Sequence, residues 1–128
     1  MGATTDNGDG TYTAALTAAP GVTGTADITV KVGGNTFGFL KTTVTLAALP
    51  PLPAKSSLGR DKDTIPADGT TASTLTLTLH DSLDHPVKGQ TVVFVSDKGT
   101  VGATTDNGDG TYTAALTAAA GVTGTANI

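Results

Sequence analysis

The run DNGDG occurs twice in the sequence and carries the oxygen ligands that calcium prefers. Its spacing departs from that of an EF-hand loop, and Thr117 stands where the loop would need a bidentate glutamate. Aspartate, asparagine and glycine also tolerate a positive φ, so the run is typical of a tight turn between strands. We interpret both copies as hairpin turns, with a calcium site as the alternative. The candidate ligands are Asp106, Asn107 and Asp109 in one copy and Asp6, Asn7 and Asp9 in the other.

A second group of aspartates, Asp61, Asp63 and Asp68, follows a proline-rich segment. Calcium bound between consecutive domains would stiffen a rod at such a place. Aspartate is equally common in solvated turns, and a turn is the preferred interpretation. The sequence therefore predicts no metal site and no cofactor.

Two histidines, His80 and His85, flank a short turn that also contains Asp81 and Asp84. A histidine beside a carboxylate could act as a base with its orienting group. No nucleophile elbow or glycine-rich oxyanion loop accompanies them, and zinc would need further ligands in a chain without cysteine. The DNGDG runs precede no helix that could hold a phosphate. We expect surface histidines, no catalytic residue and no enzyme.

Four aromatic residues, Tyr112, Phe94, Phe37 and Phe39, could form a platform for a sugar ring if they were exposed together. The alternation of side chains along a strand places Tyr112 and Phe94 inward. Phe37 and Phe39 share one face of their strand. Core packing is the preferred interpretation for all four residues.

Composition favours an all-β domain. All 11 acidic residues are aspartate and threonine is the commonest residue, a mixture that suits strands joined by turns. A net charge of −4 with only 7 lysines and arginines offers no basic patch, so nucleic acid is excluded as a partner. No stretch reaches about 18 apolar residues, and we expect no direct membrane insertion.

Alternating leucine and threonine from Ser73 to His80 predicts a strand with one buried face. After a turn from Asp81 to Pro86, the segment 87–95 predicts a second strand, with Gly89 at a bulge or bend. A third strand, 111–118, follows the second DNGDG run. The predicted core consists of Leu75, Leu77, Leu79, Val87, Val92, Phe94, Tyr112, Leu116 and Val122.

In the N-terminal half, alternating apolar residues up to Val32 predict a strand that a turn at Gly33-Gly34-Asn35 joins to a last strand near Phe37 to Leu46. The segment 47–54, AALPPLPA, follows. Closely spaced prolines hold a chain extended and remove backbone donors, so we interpret it as a linker between domains.

Residues 102–128 repeat residues 2–28 with two substitutions, at an offset of 100 residues. This period fits a small domain better than a solenoid repeat of roughly 20 to 50 residues. We expect an out-of-phase excerpt of a tandem array, in which one repeat would contain about seven short strands. The two substitutions are Pro20 to Ala120 and Asp27 to Asn127.

The repeat divides the chain into three parts. Residues 1–46 are predicted to be the C-terminal part of one repeat, residues 47–54 the linker, and residues 55–128 the N-terminal part of the next. The predicted fold is an immunoglobulin-like β-sandwich of about seven strands, completed across the repeat boundary.

Several short motifs follow one another at defined spacing. They are Ala67-Asp68-Gly69 before a Thr/Leu strand, Asp81, Pro86-Val87, Gly89-Gln90, Val92, Phe94, Thr105-Asp106, and Gly110 before Tyr112. Their order resembles the group 1 bacterial immunoglobulin-like domain of intimin and invasin. The resemblance implies a seven-stranded immunoglobulin-like sandwich without catalysis.

The resemblance also implies a tandem repeat in the extracellular stalk of a Gram-negative adhesin, anchored in the outer membrane through other parts of the protein. The stalk would present a distal binding domain. The alternative is a binding module that contacts glycan, host protein or neighbouring stalks through its threonine-rich sheet face or its acidic loops.

Each half of the chain lacks strands that the other half contains, so each exposes unpaired edges. The linker spans at most about 26 Å at ~3.3 Å per residue. The ends of such a domain lie roughly 30 to 40 Å apart, so completion between chains is favoured. We expect other copies of the chain as partners, in a closed swapped dimer or, preferably, an open head-to-tail fibre. In the parent protein, neighbouring repeats are the other partners.

Overall fold

A computed structural model describes residues 1–128, which form two compact units, Met1–Ala48 and Leu49–Ile128. All regular elements are strands apart from one 3-10 turn at Pro53–Lys55. The predicted all-β class is confirmed, because threonine-rich and valine-rich runs separated by Asp, Asn and Gly favour strands and turns. The structure contains no helix that is long and apolar enough to cross a membrane.

The first unit consists of two separate hairpins. β1 pairs with β2, β3 pairs with β4, and both pairs are antiparallel. Gly33 and Gly34 have φ values of 57° and 82° and form the predicted two-residue turn between β3 and β4. The strands are β1 (Thr5–Asp6), β2 (Tyr12–Thr13), β3 (Gly24–Val32) and β4 (Asn35–Leu46).

The β3–β4 hairpin has one apolar and one polar face. Ala26 lies opposite Val44, and Val30 lies opposite Phe37 on the same face, while threonine and lysine alternate with them. No residue of the first unit is buried. The predicted core role of Phe39 is wrong in this unit, since its side chain is 79% exposed. A two-stranded sheet with no second layer offers no interior for it.

The second unit is built around one antiparallel sheet with the strand order β5-β6-β9-β7, in which β8 also pairs with β9. The predicted hairpin at the second DNGDG run is confirmed, because β8 and β9 flank it. The strands are β5 (Ser57–Arg60), β6 (Ala72–Thr78), β7 (Thr100–Val101), β8 (Thr105–Asp106) and β9 (Thr111–Thr117).

The core lies on one face of this sheet. Leu75 of β6 lies opposite Ala114 of β9, and Leu77 lies opposite Tyr112. Leu75 and Tyr112 are almost completely buried, and Val87, whose carbonyl bonds to Tyr112, is 6% exposed. Threonines alternate with these residues on the other face, so the predicted inward positions on β6 and β9 are confirmed.

The segment 87–95 is not a strand, contrary to the prediction. Val87 bonds to the Leu79 carbonyl, but residues 91–96 make no backbone hydrogen bond to another segment. Side-chain burial still alternates, with Val92 and Phe94 half-buried and their neighbours exposed. A strand needs a partner along its edge, and the second unit provides none here.

Three further predictions for the core need correction. Val122 is 48% exposed, because its amide bonds to the Ala119 carbonyl in a turn beyond the end of β9. Leu77 and Leu79 are only half-buried. Both face inward, but no second sheet covers the far end of that face.

The end of the proline-rich segment is a turn, whereas the sequence predicted an extended linker over the whole of 47–54. Pro53–Lys55 form a 3-10 turn, and the Leu52 amide donates to the His80 carbonyl at 2.8 Å. A proline at the start of a helical turn has no amide hydrogen to lose, so the turn tolerates Pro53.

We predict that Leu75→Ala destabilises the second unit by about 2 to 5 kcal/mol, because the side chain is 1% exposed and its loss leaves a cavity. Thr74→Ala, on the exposed face of the same strand, is the control and should change stability by less than about 0.5 kcal/mol. Urea unfolding measures both. Equal effects of the two substitutions would remove Leu75 from the core.

Candidate functional site

Tyr112 ties β9 to the segment that follows the 81–86 turn. Its side chain is fully buried, and its hydroxyl donates to the Val87 carbonyl at 2.9 Å and accepts from the Gln90 amide at 3.1 Å. Gly110 lies two residues earlier with a φ of 93°, and a Cβ there would lie 2.6 Å from that of Pro86. The second DNGDG turn is therefore packed directly against the 81–86 turn.

One carboxylate of the same turn makes a further connection. Asp106 Oδ2 accepts from the Gly89 amide at 2.8 Å, and its Oδ1 accepts from the Gly108 amide at 2.8 Å. Gly89 has a φ of 68° and no strand partner, so the predicted bend is confirmed. Asp106 thus positions the 87–90 segment.

The remaining polar groups of the DNGDG turn bond to each other. Asp109 Oδ1 accepts from the amide and the hydroxyl of Thr111 at 2.9 and 2.6 Å, and Asn107 Nδ2 donates to the same hydroxyl. The hydroxyl and amide of Thr111 hold the pKa of Asp109 below its usual value. These hydrogen bonds already stabilise the Asp109 carboxylate as an anion. A metal ion would have to replace them in order to bind there.

The first copy of the turn repeats these bonds. Asp9 accepts from Thr11 at the same distances, Asp6 accepts from the Gly8 amide, and Asn7 donates to the Thr11 hydroxyl. The turn geometry is therefore encoded locally and does not depend on burial.

The three aspartates after the linker segment each have a separate role. Asp61 Oδ1 accepts from the Thr74 amide and from Ser73 Oγ, and these bonds hold the pKa of Asp61 below its ordinary value. Asp63 pairs with Arg60 at 2.9 Å. Asp68 caps its own turn. The carboxylates do not converge on a common point.

Asp68 accepts from the Thr71 hydroxyl at 2.6 Å and from the amides of Thr71 and Thr70. These bonds, that of the Thr71 hydroxyl first, hold the pKa of Asp68 well below its ordinary value. Across the whole chain, no group of three or more His, Cys, Asp or Glu lies close enough to hold a metal ion.

The 81–86 turn, which contains His85 and follows His80, is held by the buried Asp81. Burial raises the pKa of Asp81, but hydrogen bonds from the amides of His85 and Leu83 hold it below its ordinary value. His85 Nδ1 lies 3.4 Å from Asp81 Oδ2, with no serine, threonine or cysteine nucleophile bonded to the pair. The predicted neighbours thus do meet, and they close a turn.

Sequence reasoning missed two contacts at the edges of the second unit. Lys55 pairs with Asp84, which joins the 3-10 turn at Pro53–Lys55 to the 81–86 turn. Asp97 bonds to Asn127 through both carboxylate oxygens. A signal for the second contact was present, because residue 127 is one of the two positions at which the copies differ.

The aromatic residues do not form a sugar-binding platform. Tyr112 is fully buried, as predicted, whereas Phe94, which was predicted to lie in the core, is only half-buried. Phe37 and Phe39 lie edge to face with ring centroids 6.1 Å apart. A flat stack of exposed rings is therefore absent from both units.

The chain is similar to proteins of the invasin group. The family described as invasin, domain 3, matches residues 52–128. The chain is similar to the crystal structure of invasin, described as a bacterial integrin-binding protein, with 32% identity over 82% of this chain and 21% of that one and a TM-score of 0.69. It is also similar to the Yersinia pseudotuberculosis adhesin InvE, with 45% identity over 59% of this chain and 21% of that one and a TM-score of 0.56. The chain spans about a fifth of each structure.

We predict that Tyr112→Phe destabilises the second unit by about 1 to 3 kcal/mol, because the buried Val87 carbonyl loses its donor and the Gln90 amide loses its acceptor. Tyr12→Phe is a matched control, since Tyr12 has the same sequence neighbours and is 64% exposed. Its effect should be within experimental error. Denaturant melts of both variants decide the matter, and equal losses would contradict the assignment.

We also predict that calcium does not bind specifically at Asp106 and Asp109, because their oxygens already accept hydrogen bonds within the turn. Calorimetric titration of the chain with calcium should give no saturable heat. A saturable isotherm of micromolar affinity that Asp109→Ala abolishes would overturn this expectation.

Proposed function

The chain belongs to the invasin domain 3 family, and from this premise we propose that it is a non-catalytic stalk module of a bacterial cell-surface adhesin. The predicted resemblance to the intimin and invasin group is confirmed, and so is the immunoglobulin-like fold class. The module acts as a spacer that holds a distal binding domain away from the cell envelope.

The near-identity of residues 2–28 and 102–128 is the observation that carries this proposal. Adjacent repeats of almost the same sequence present almost the same surfaces, so additional copies add length without adding a new binding site. A strand as long as the nine-residue β3 extends about 30 Å at ~3.3 Å per residue. Copy number would therefore set the reach of the adhesin.

The proposed location is the extracellular surface of a Gram-negative bacterium, with outer-membrane anchoring through other parts of the protein. The similarity to InvE, an adhesin of Yersinia pseudotuberculosis, supports a bacterial surface. The domain has no cysteine, and the Tyr112 bond and the hydrogen-bonded turns stabilise it without a disulfide. The absence of disulfides is therefore compatible with an extracellular location.

A second candidate function is direct binding. The outer face of the sheet, where Thr74 lies opposite Ala115, is exposed, and invasin is described as integrin-binding. The chain corresponds to only a fifth of that structure. In the acidic turns, Asp106 and Asp109 each accept hydrogen bonds from within the turn, which leaves fewer of their oxygen lone pairs for a ligand.

The test distinguishes a spacer, whose copy number sets the reach of the tip, from a module that binds through its own surface. In-phase arrays of two and four copies of the 100-residue repeat are placed between a membrane anchor and an antigen-binding tip and displayed on bacteria. We expect each added copy to raise the tip by about 30 Å, measured by small-angle scattering of the soluble arrays. Tip affinity for soluble antigen should not change.

The matched control carries Thr74→Lys and Ala115→Lys in every copy, which alters the exposed sheet face and leaves the core intact. A stalk retains its reach, and arrays without a tip bind no host cells with either surface. Host-cell binding by the tipless array, lost in the lysine variant, would instead establish the binding module.

A further inference from the structure

Residues 91–96 present an unpaired strand edge in the second unit. They make no backbone hydrogen bond to another segment. Their burial nevertheless alternates, since Val92 and Phe94 are half-buried whereas Val93 and Val95 are 75% and 72% exposed. This period of two is that of a pleated strand, and free amides and carbonyls along a strand are a template for another strand.

The inner face of the sheet in the same unit is open to solvent on one side. A groove of about 600 Å³ lies against this face, lined in part by Leu75, Leu116 and Ile128. An apolar face of a sheet needs a further layer to cover it. Apolar side chains from outside the unit therefore have a place to pack.

The β3–β4 hairpin has an apolar face that no other segment covers. Its apolar face has nothing packed against it, and Val30, Val32 and Val44 are 45%, 63% and 42% exposed. Its other face carries threonine and lysine. A two-stranded sheet with a free apolar face is marginal in water until a further layer or strand covers it.

Residues 124–128, the tail of the second unit, already contact the chain at Asp97, immediately beyond the open edge 91–96. The Asp97 amide donates to the Asn127 carbonyl at 3.2 Å, and the amide and side chain of Asn127 donate to the Asp97 carboxylate at 2.7 and 2.8 Å. The tail residues 124–128 have the sequence of residues 24–28, the first half of β3, except at the position of Asn127. A β3 strand from another copy therefore fits the same place.

The register of this contact extends consistently along the open edge. With residue 27 of an incoming β3 opposite Asp97, antiparallel pairing places Val30 opposite Phe94 and Val32 opposite Val92. Both pairs then lie on the inner face, with apolar side chains against apolar side chains. A slip of one residue would turn the apolar face of the hairpin to solvent, so the register is strongly specified.

We infer that copies of this 128-residue chain assemble by strand addition, with the β3–β4 hairpin of one copy seated along residues 91–96 of another. The incoming residues 24–28 displace residues 124–128 and re-form nearly the same contacts. Residues 29–46 add burial that the displaced tail does not supply, and this difference drives assembly. The donor and acceptor surfaces differ, so the contact is heterologous and either closes in a swapped dimer or continues as a fibre.

One residue opposes the exchange. Asn127 donates from its side-chain amide to Asp97, whereas Asp27 has no such donor and would bring a second carboxylate beside Asp97. The resident tail therefore holds this position better than the incoming hairpin does. Asp27→Asn should lower the dissociation constant of the assembly by about tenfold, the effect of one hydrogen bond.

Disulfide crosslinking tests the partner and the register together, because the chain has no cysteine of its own. The register places Thr29 opposite Val95 on the outer face, within the Cα separation that a disulfide spans. A Thr29→Cys chain mixed with a Val95→Cys chain should form a crosslinked dimer under mild oxidation. Thr25→Cys, about 13 Å further along the strand, is the control and should not link to Val95→Cys.

Two outcomes of the crosslinking would overturn the proposal. One is an oxidised monomer from the chain carrying both Thr29→Cys and Val95→Cys, with no dimer from the mixed single variants, which would mean that the hairpin folds back onto its own chain. The other is the absence of any Thr29 to Val95 link.

Light scattering provides a second, independent readout. The unmodified chain should show a mass above 12.5 kDa that rises with concentration. Val30→Lys, on the apolar face of β3, should return it to the monomer mass, while Thr29→Lys, one residue away on the polar face, should not. A concentration-independent mass of 12.5 kDa for the unmodified chain would also overturn the proposal.

Discussion

The structure depends on one constraint: a strand must pair along its edges, and its apolar face must be covered. The two copies of the duplicated segment demonstrate the constraint directly. Tyr112 of β9 is fully buried and bonds to the 87–90 segment, whereas Tyr12, with the same neighbours in sequence, is 64% exposed. Local sequence forms the same DNGDG turn in both places, but only surrounding strands make a core.

The sequence predicted the features that short-range physics decides. Alternation located β6 and β9, with Leu75 and Tyr112 inward, and the glycines at 33–34 located the turn before β4. It failed where a distant partner was needed. Residues 91–96 have the apolar pattern of a strand but no ladder, and Val122 is exposed in a turn, because periodicity cannot state whether the neighbouring strand is present.

The aspartates that could have bound a metal or taken part in catalysis instead have structural roles. Asp106 and Asp109 close a turn, and Asp106 also positions Gly89. Asp81 holds the 81–86 turn, and Asp61 bonds to β6. Sequence could identify these residues as turn formers but not their partners across the unit. Polar groups that satisfy one another locally suit a module whose role is to persist at fixed length, which agrees with the proposed stalk.

Hydrogen exchange along the chain, followed by mass spectrometry at low and high protein concentration, tests most directly whether residues 91–96 await a strand from another copy. Amides of β9 should exchange slowly at both concentrations, because the ladder to β6 is complete. Amides of residues 91–96 should exchange rapidly in the dilute monomer and become protected as the chain assembles. Protection in the dilute monomer, or none at any concentration, would contradict the account.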